Sequence, residues 1–248
     1  MSFKKLLAAA SIAGLAQLVL MASAAADVPK GMYAGVDGGL AWTSNITYTT
    51  GSTGTTCYPP YYYCVPYYNY YNAVTFDLGY SAGAQFGYAF GGPRVEFEYN
   101  YRNNGAATIY TTQGMQSATG SLTSNNYMVN AFYDFDTGSK WVPYIGLGLG
   151  MADVKASMIK ASSLTSGFSG YLDGSSSKFA VQFIFGAEYL ATDNIGVFVD
   201  WRGLWASNVN LNYGMGCPSG GTSNCVQTGT TSWDYWNGAL NVGLHVRF

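Results

Sequence analysis

The chain has 248 residues, with 11 Lys or Arg, 13 Asp or Glu and a single His, for a net charge of −2. Charged residues make up 10% and aromatics 17%, where an ordinary soluble domain carries about 25% charged residues. No cationic footprint exists for nucleic acid, and one His without Cys-rich zinc spacing excludes a multi-histidine metal site.

Lys4 and Lys5 precede an apolar stretch from Leu6 to about Met21, and Ala24-Ala25-Ala26 offers a cleavage site after Ala26. Residues 1–26 are therefore expected to be a cleaved signal peptide, and 27–248 a single domain. Downstream, Gly, Thr, Asn or a charge interrupts every apolar run, so no helix can span a bilayer. A chain that spans a membrane without such helices does so as a closed barrel.

Strand-length segments with a period of two run through the domain. Segment one (about 32–44) places Met32, Ala34, Val36, Gly38, Leu40 and Trp42 on one parity and Asp37 on the other. Segment two (about 73–90) reads Val74, Phe76, Leu78, Tyr80, Ala82, Ala84, Phe86, Tyr88 and Phe90 against Thr75, Asp77, Ser81 and Gln85. Segment three begins near Arg94, with Val95, Phe97, Tyr99 and Tyr101 opposed to Glu96, Glu98, Asn100 and Arg102. Segment four (about 125–135) separates Tyr127, Val129, Ala131, Tyr133 and Phe135 from Asn130 and Asp134. Segment five (about 142–153) sets Ile145, Leu147, Leu149 and Met151 against Gly146, Gly148 and Gly150. Segment six (about 178–190) sets Phe179, Val181, Phe183, Phe185 and Tyr189 against Lys178, Gln182 and Glu188. Segment seven (about 195–205) opposes Val197, Val199 and Trp201 to Asp200 and Arg202. Segment eight (about 233–248) opposes Trp236, Leu240, Val242, Leu244, Val246 and Phe248 to Tyr235, Asn237, Asn241, His245 and Arg247.

The apolar parity is too long and too often repeated for one small core, so it is expected to face lipid while the charged parity lines the interior. The fold class is all-β, an eight-stranded antiparallel up-and-down transmembrane β-barrel. Short connections near 91–93, 136–141 and 191–194 alternate with long ones near 45–72, 103–124, 154–177 and 206–232. That asymmetry matches periplasmic turns and extracellular loops. The loop near 103–124 is expected to be partly strand.

The opening GMYAGVDGGLAW, the strands RVEFEYNYR, VNAFYDF and WVPYIGLGLGMA, and the terminal LNVGLHVRF resemble the small eight-stranded outer-membrane barrels of Gram-negative bacteria. That group holds the OmpA-like membrane domain, the opacity proteins and alphaproteobacterial surface antigens. The resemblance implies a bacterial outer-membrane location, contact with lipopolysaccharide, and recognition of Phe248 by the barrel-insertion machinery. Function does not transfer with the fold, because such barrels include adhesins, structural proteins, narrow pores and enzymes.

Gly79-Tyr80-Ser81-Ala82-Gly83 matches G-x-S-x-G, but it lies inside an alternating strand with no helix after it. His245, the sole His, sits three residues from the end, roughly 20 Å from Ser81 in height at strand rise and barrel tilt. No catalytic dyad forms, and no residue set supports a lipid-modifying enzyme. No motif requires a cofactor: Gly146-Leu147-Gly148-Leu149-Gly150 lacks the helix of a nucleotide loop.

Four cysteines fall in expected extracellular loops, Cys57 and Cys64 in the first and Cys217 and Cys225 in the fourth. Four Cys permit three pairings, of which the one made of two local pairs, Cys57 with Cys64 and Cys217 with Cys225, is preferred, and cross-loop pairing stays open. Within CYPPYYYCVPYYNYY, the rings of Tyr58, Tyr61, Tyr62, Tyr63, Tyr67 and Tyr68 offer contact surface at low entropic cost. The interior charges are Asp37, Asp77, Glu96, Glu98, Asp134, Glu188 and Asp200 against Arg94, Arg102, Lys178, Arg202 and Arg247. They are expected to pair into a satisfied polar core plugged by Phe132, Tyr144, Ile184, Phe198, Leu204 and Tyr235. The favoured function is a surface protein with a structural or adhesive role through its loops, touching an extracellular or host ligand. The alternative is a narrow cation-preferring pore, motivated by the acidic excess inside.

Overall fold

A computed structural model describes residues 28–50, 54–58, 63–67, 70–111, 114–161, 169–216 and 227–248. Within these it has twelve strands: β1 (Lys30–Thr43), β2 (Ile46–Thr50), β3 (Gly54–Tyr58), β4 (Tyr63–Tyr67), β5 (Tyr70–Phe76), β6 (Gly79–Phe90), β7 (Pro93–Thr111), β8 (Gly114–Asp134), β9 (Trp141–Ala161), β10 (Ser169–Leu190), β11 (Ile195–Gly216) and β12 (Gln227–Arg247). Eight of them close a ring, β1-β6-β7-β8-β9-β10-β11-β12, entirely antiparallel. The seam joins the ends of the domain, with Tyr33 opposite Arg247 and Thr43 opposite Asn237. Closure leaves no edge to satisfy in hydrocarbon.

Chemistry at the turns explains why one end is compact. Gly91 and Gly92 take φ of 86° and 129°, a region that disfavours side chains, and return β6 into β7 within two residues. Asp136 caps the next turn by accepting from the Gly138 amide at 2.8 Å. The Thr192 hydroxyl accepts from the Ile195 amide at 3.0 Å in the third. The Phe248 amide donates to the Met32 carbonyl at 3.1 Å, which ties the last residue to the first strand of the ring.

The lower barrel has the sidedness expected from the alternation. Leu147, Val199, Phe183 and Val242 point outward, while Glu98, Arg102 and Arg202 are at most 1% exposed. On β9 the outward apolar row runs from Trp141 to Met151. About ten residue steps at ~3.4 Å, tilted ~40°, give a band of ~26 Å, the height of an outer-membrane hydrocarbon core. Aromatic pairs mark both rims: Trp141 with Tyr189 (5.1 Å between ring centroids) and Tyr88 with Phe90 (4.7 Å) below, Tyr99 with Tyr127 (5.3 Å) and Trp201 with Trp236 (6.3 Å) above.

Above that band the sidedness of polarity reverses. Leu122, Val154, Ile159, Leu172, Val209 and Leu211 point inward and are buried. Asp153, Lys155, Asn210 and Ser232 lie on the outer side of the same strands. The three expected loops at 103–124, 154–177 and 206–232 are thus largely strand, and β7 to β12 rise well above the bilayer. The upper half is built like a water-soluble barrel, with an apolar core and a polar coat. Register shifts collect at this level, near Thr108, Ser121, Gly174, Ala180 and Val209, and the non-glycine positive-φ residues Met158 and Asn208 lie there too. An extra residue in one strand restores inward facing after a parity break.

Segment two is corrected in one respect. The expected single strand 73–90 breaks at Asp77–Leu78, and β5 and β6 have opposite parity. Val74, expected to face lipid, is fully buried inside. Asp77, expected in the interior network, is exposed, its amide bonded to the Gly105 carbonyl at 2.9 Å.

Inward glycines make room for the bulky side chains between them. A Cβ on Gly243 would meet the Phe198 ring and lie 2.5 Å from the Val36 carbonyl oxygen. Gly243→Val is expected to destabilise the folded barrel by about 1–3 kcal/mol through overpacking, seen as a lower urea midpoint for loss of the compact, heat-modifiable gel species.

Candidate functional site

Inward parity on eight strands converges on one polar column. At its periplasmic end, Arg94 of β7 lies 3.2 Å from Asp134 of β8 and 3.6 Å from Glu96. Its guanidinium also stacks over the Phe132 ring at 4.1 Å. The Tyr33 hydroxyl donates to Glu96 at 2.7 Å. On the opposite wall, Glu188 of β10 joins Arg247 (2.5 Å) and His245 Nδ1 (3.1 Å) of β12.

Arg202 of β11 holds the middle. It pairs with Glu98 (2.7 Å) and Asp200 (2.9 Å), and Asp37 lies at 4.0 Å. Glu98 also accepts from Asn130 (2.6 Å) and Gln182 (2.8 Å). Asp200 accepts from Tyr144 (3.1 Å) and Asn241 (3.2 Å). For Glu98 and Asp200 such closure makes the buried ion pair tolerable, because a charge taken from water must recover its hydration from neighbours; among the described residues Asp37 receives no hydrogen bond on either oxygen.

One level higher, Arg102 is held by neutral oxygens of Asn100 (2.8 Å), Asn237 (2.9 Å) and Gln182 (3.1 Å). Above it begins the apolar cluster, with Met128, Ala152, Val154, Leu204 and Tyr235. A second cluster of Phe132, Tyr144, Ile184 and Phe198 fills the column lower down. All six side chains expected to plug the lumen are therefore inside.

Of the expected interior charges, Asp37, Glu96, Glu98, Asp134, Glu188, Asp200, Arg94, Arg102, Arg202 and Arg247 are buried, and Asp77 is not. Lys178 is half-buried opposite Ala152. Tyr33, which ties β1 to β7, shared the parity of Asp37 and could have been read from it. The Ser81 hydroxyl bonds Asn241 at 2.5 Å, whereas His245 stacks on Phe198 (4.3 Å) and bonds Glu188. The two sit four residues apart along β1, opposite Gly39 and Gly35, and do not meet.

In the first connection, β3 and β4 form a hairpin whose register sets Cys57 opposite Cys64 and Tyr58 opposite Tyr63, with Tyr67 opposite Gly54. Tyr61, Tyr62, Tyr68, Cys217, Cys225 and Ala26 lie outside the described residues.

An eight-stranded ring with a lipid-facing outer band and a charged lumen defines an integral outer-membrane barrel. The chain belongs to the outer membrane protein beta-barrel domain family, whose model matches residues 9–248. It is similar to outer membrane protein PagN of Salmonella typhimurium, 35% identical over 85 residues, which are 34% of this chain and 35% of that protein; the match thus spans about a third of the relative. In fold it is similar to the outer membrane protein OprG of Pseudomonas aeruginosa, with TM-score 0.54, 15% identity and coverage of 89% of this chain and 98% of that one. Neisserial surface protein A aligns with TM-score 0.48 and 19% identity over 88% of this chain and 97% of that one. These relationships place the protein in the bacterial outer membrane.

Proposed function

We propose that the protein is a non-catalytic surface-interaction barrel, a closed post that holds recognition loops above the membrane. One observation carries the reading: the polar column ends beneath an apolar cluster. An ion rising past Arg102 meets Met128, Leu204 and Val154, side chains that offer no oxygen to replace its water. With the lumen blocked, the surface left for contact with a partner is at the loop ends. The Cys57–Cys64 register suits a disulfide that would stiffen the Tyr-rich connection.

Deleting residues 54–67 is expected to abolish retention of cells displaying the protein on a panel of extracellular-matrix and host-cell surfaces, while the barrel stays assembled. Retention unchanged by the deletion refutes the reading. In planar bilayers the intact protein is expected to give no discrete conductance steps.

A second reading, a narrow cation-preferring pore, draws on the six buried carboxylates facing four buried guanidiniums. Steps in the intact protein that vanish on Glu96→Gln with Glu98→Gln would favour it.

A further inference from the structure

The outward face of β8–β9–β10 just above the apolar band carries an arrangement with no part in the lumen. Lys155 and Lys160 are both exposed there. They are five positions apart, so an uninterrupted strand would turn one of them inward. The bulge at Ser157–Met158, where Met158 takes φ 43°, inserts one residue relative to both neighbouring strands and turns both lysines outward. Each then lies on a cross-strand rung. Lys155 sits between Thr123 of β8 and Ser175 of β10, and Lys160 between Thr119 of β8 and Tyr171 of β10.

We propose that these two rungs are a docking site for the phosphorylated sugars of an outer-leaflet glycolipid, lipopolysaccharide. Lys155 stands four residues beyond Met151, where the regular outward apolar row of β9 ends, which is the depth of a lipid headgroup; beyond it, among the described residues, only Met158, at the bulge, is apolar and exposed on this strand. Lys160 lies ~13 Å further along the strand, within the sugar layer, and its neighbour Tyr171 presents an exposed ring for sugar stacking.

The charge distribution singles out this sector. Among the described residues, every other cation is elsewhere: Arg94, Arg102, Arg202 and Arg247 line the lumen, Lys178 faces inward, and Lys30 and Lys140 lie at the periplasmic end. The carboxylates near the rungs are engaged. Asp153 accepts from the Ser177 hydroxyl at 3.2 Å and Asp173 from the Met158 amide at 3.2 Å. Neither Lys155 nor Lys160 forms an ion pair among the described residues. Two uncommitted ammonium groups beside hydroxyls, one at headgroup depth and one in the sugar layer, complement the phosphorylated sugars, whereas a soluble sulfated glycan has no reason to prefer that depth.

The test uses the full barrel in micelles, with purified rough lipopolysaccharide, its dephosphorylated form and heparin as probes. Bound glycolipid is counted by native mass spectrometry and affinity by titration. Lys155→Ala with Lys160→Ala is expected to weaken binding of the phosphorylated glycolipid about tenfold or more. Lys140→Ala on the periplasmic turn should leave it unchanged. The heat-modifiable gel species confirms that each variant is folded. Equal binding by the double variant overturns the proposal. So does equal binding of the phosphorylated and dephosphorylated forms by the unaltered protein, or a lysine dependence confined to heparin.

Discussion

Leu147→Arg is expected to weaken the assembled barrel sharply. Leu147 lies midway along the outward row of β9 and is 48% exposed, a degree of exposure that in water would make the substitution harmless. In hydrocarbon the guanidinium has no water to solvate it. At the midplane of a barrel this costs about 2–4 kcal/mol, a large share of the stability of a domain this size. Val199→Arg on β11 should behave alike. Ser232→Arg is outward too, but lies above the reversal of polarity, where the new charge stays in water and the change is expected within about 0.5 kcal/mol. Urea midpoints of refolded barrels in phospholipid vesicles compare the three. Equal tolerance at Leu147 and Ser232 would defeat the lipid-facing assignment.

The second large effect is expected inside. Arg202→Met removes the one cation within ion-pair distance of Glu98, Asp200 and Asp37 together. Three carboxylates then crowd a space closed to bulk water, at a cost of about 3–5 kcal/mol. Adding Glu98→Gln and Asp200→Asn to Arg202→Met should recover much of that loss, because the penalty comes from the stranded anions rather than from the missing attraction. Arg102→Met is expected to cost less, since its hydrogen-bond partners are neutral. Denaturant titration of the single and combined variants measures the coupling directly. No recovery in the combined variant would mean that Arg202 acts chiefly through packing.

How much of this could be read from the chain follows from where hydropathy and parity agree. From Val95 to Tyr101, and again from Ile145 to Met151, apolar and polar residues separate cleanly, and the sides came out as expected. Strand length did not, because beyond the band the apolar parity turns inward. A stretch such as Asp153 to Ser157 keeps its alternation, but its outer residues are polar and resemble a loop. Val154, Ala156 and Ile159 held the signal, offset by the bulge at Met158.

Val74 and Asp77 were misplaced for a related reason. A break of two residues at Asp77–Leu78 reverses which parity faces in, and composition alone does not mark it. In the lumen, the inward charges were legible one by one. Their partners were not, because whether Arg202 meets Glu98 or Glu188 depends on the stagger of strands far apart in sequence. Lys155 and Lys160 went unnoticed because their common facing exists only through the bulge.

The reversed upper half also sets a reach. From Met151 to the end of β9 at Ala161 the strand climbs almost as far again as it does through lipid, ~23 Å at the same rise and tilt once the bulge residue is left out. The ends of these strands therefore stand well above the membrane surface on a stiff shaft. Shortening β9 and β10 by equal amounts should bring those ends down toward the membrane, hiding the protein from large partners while leaving it accessible to small ones.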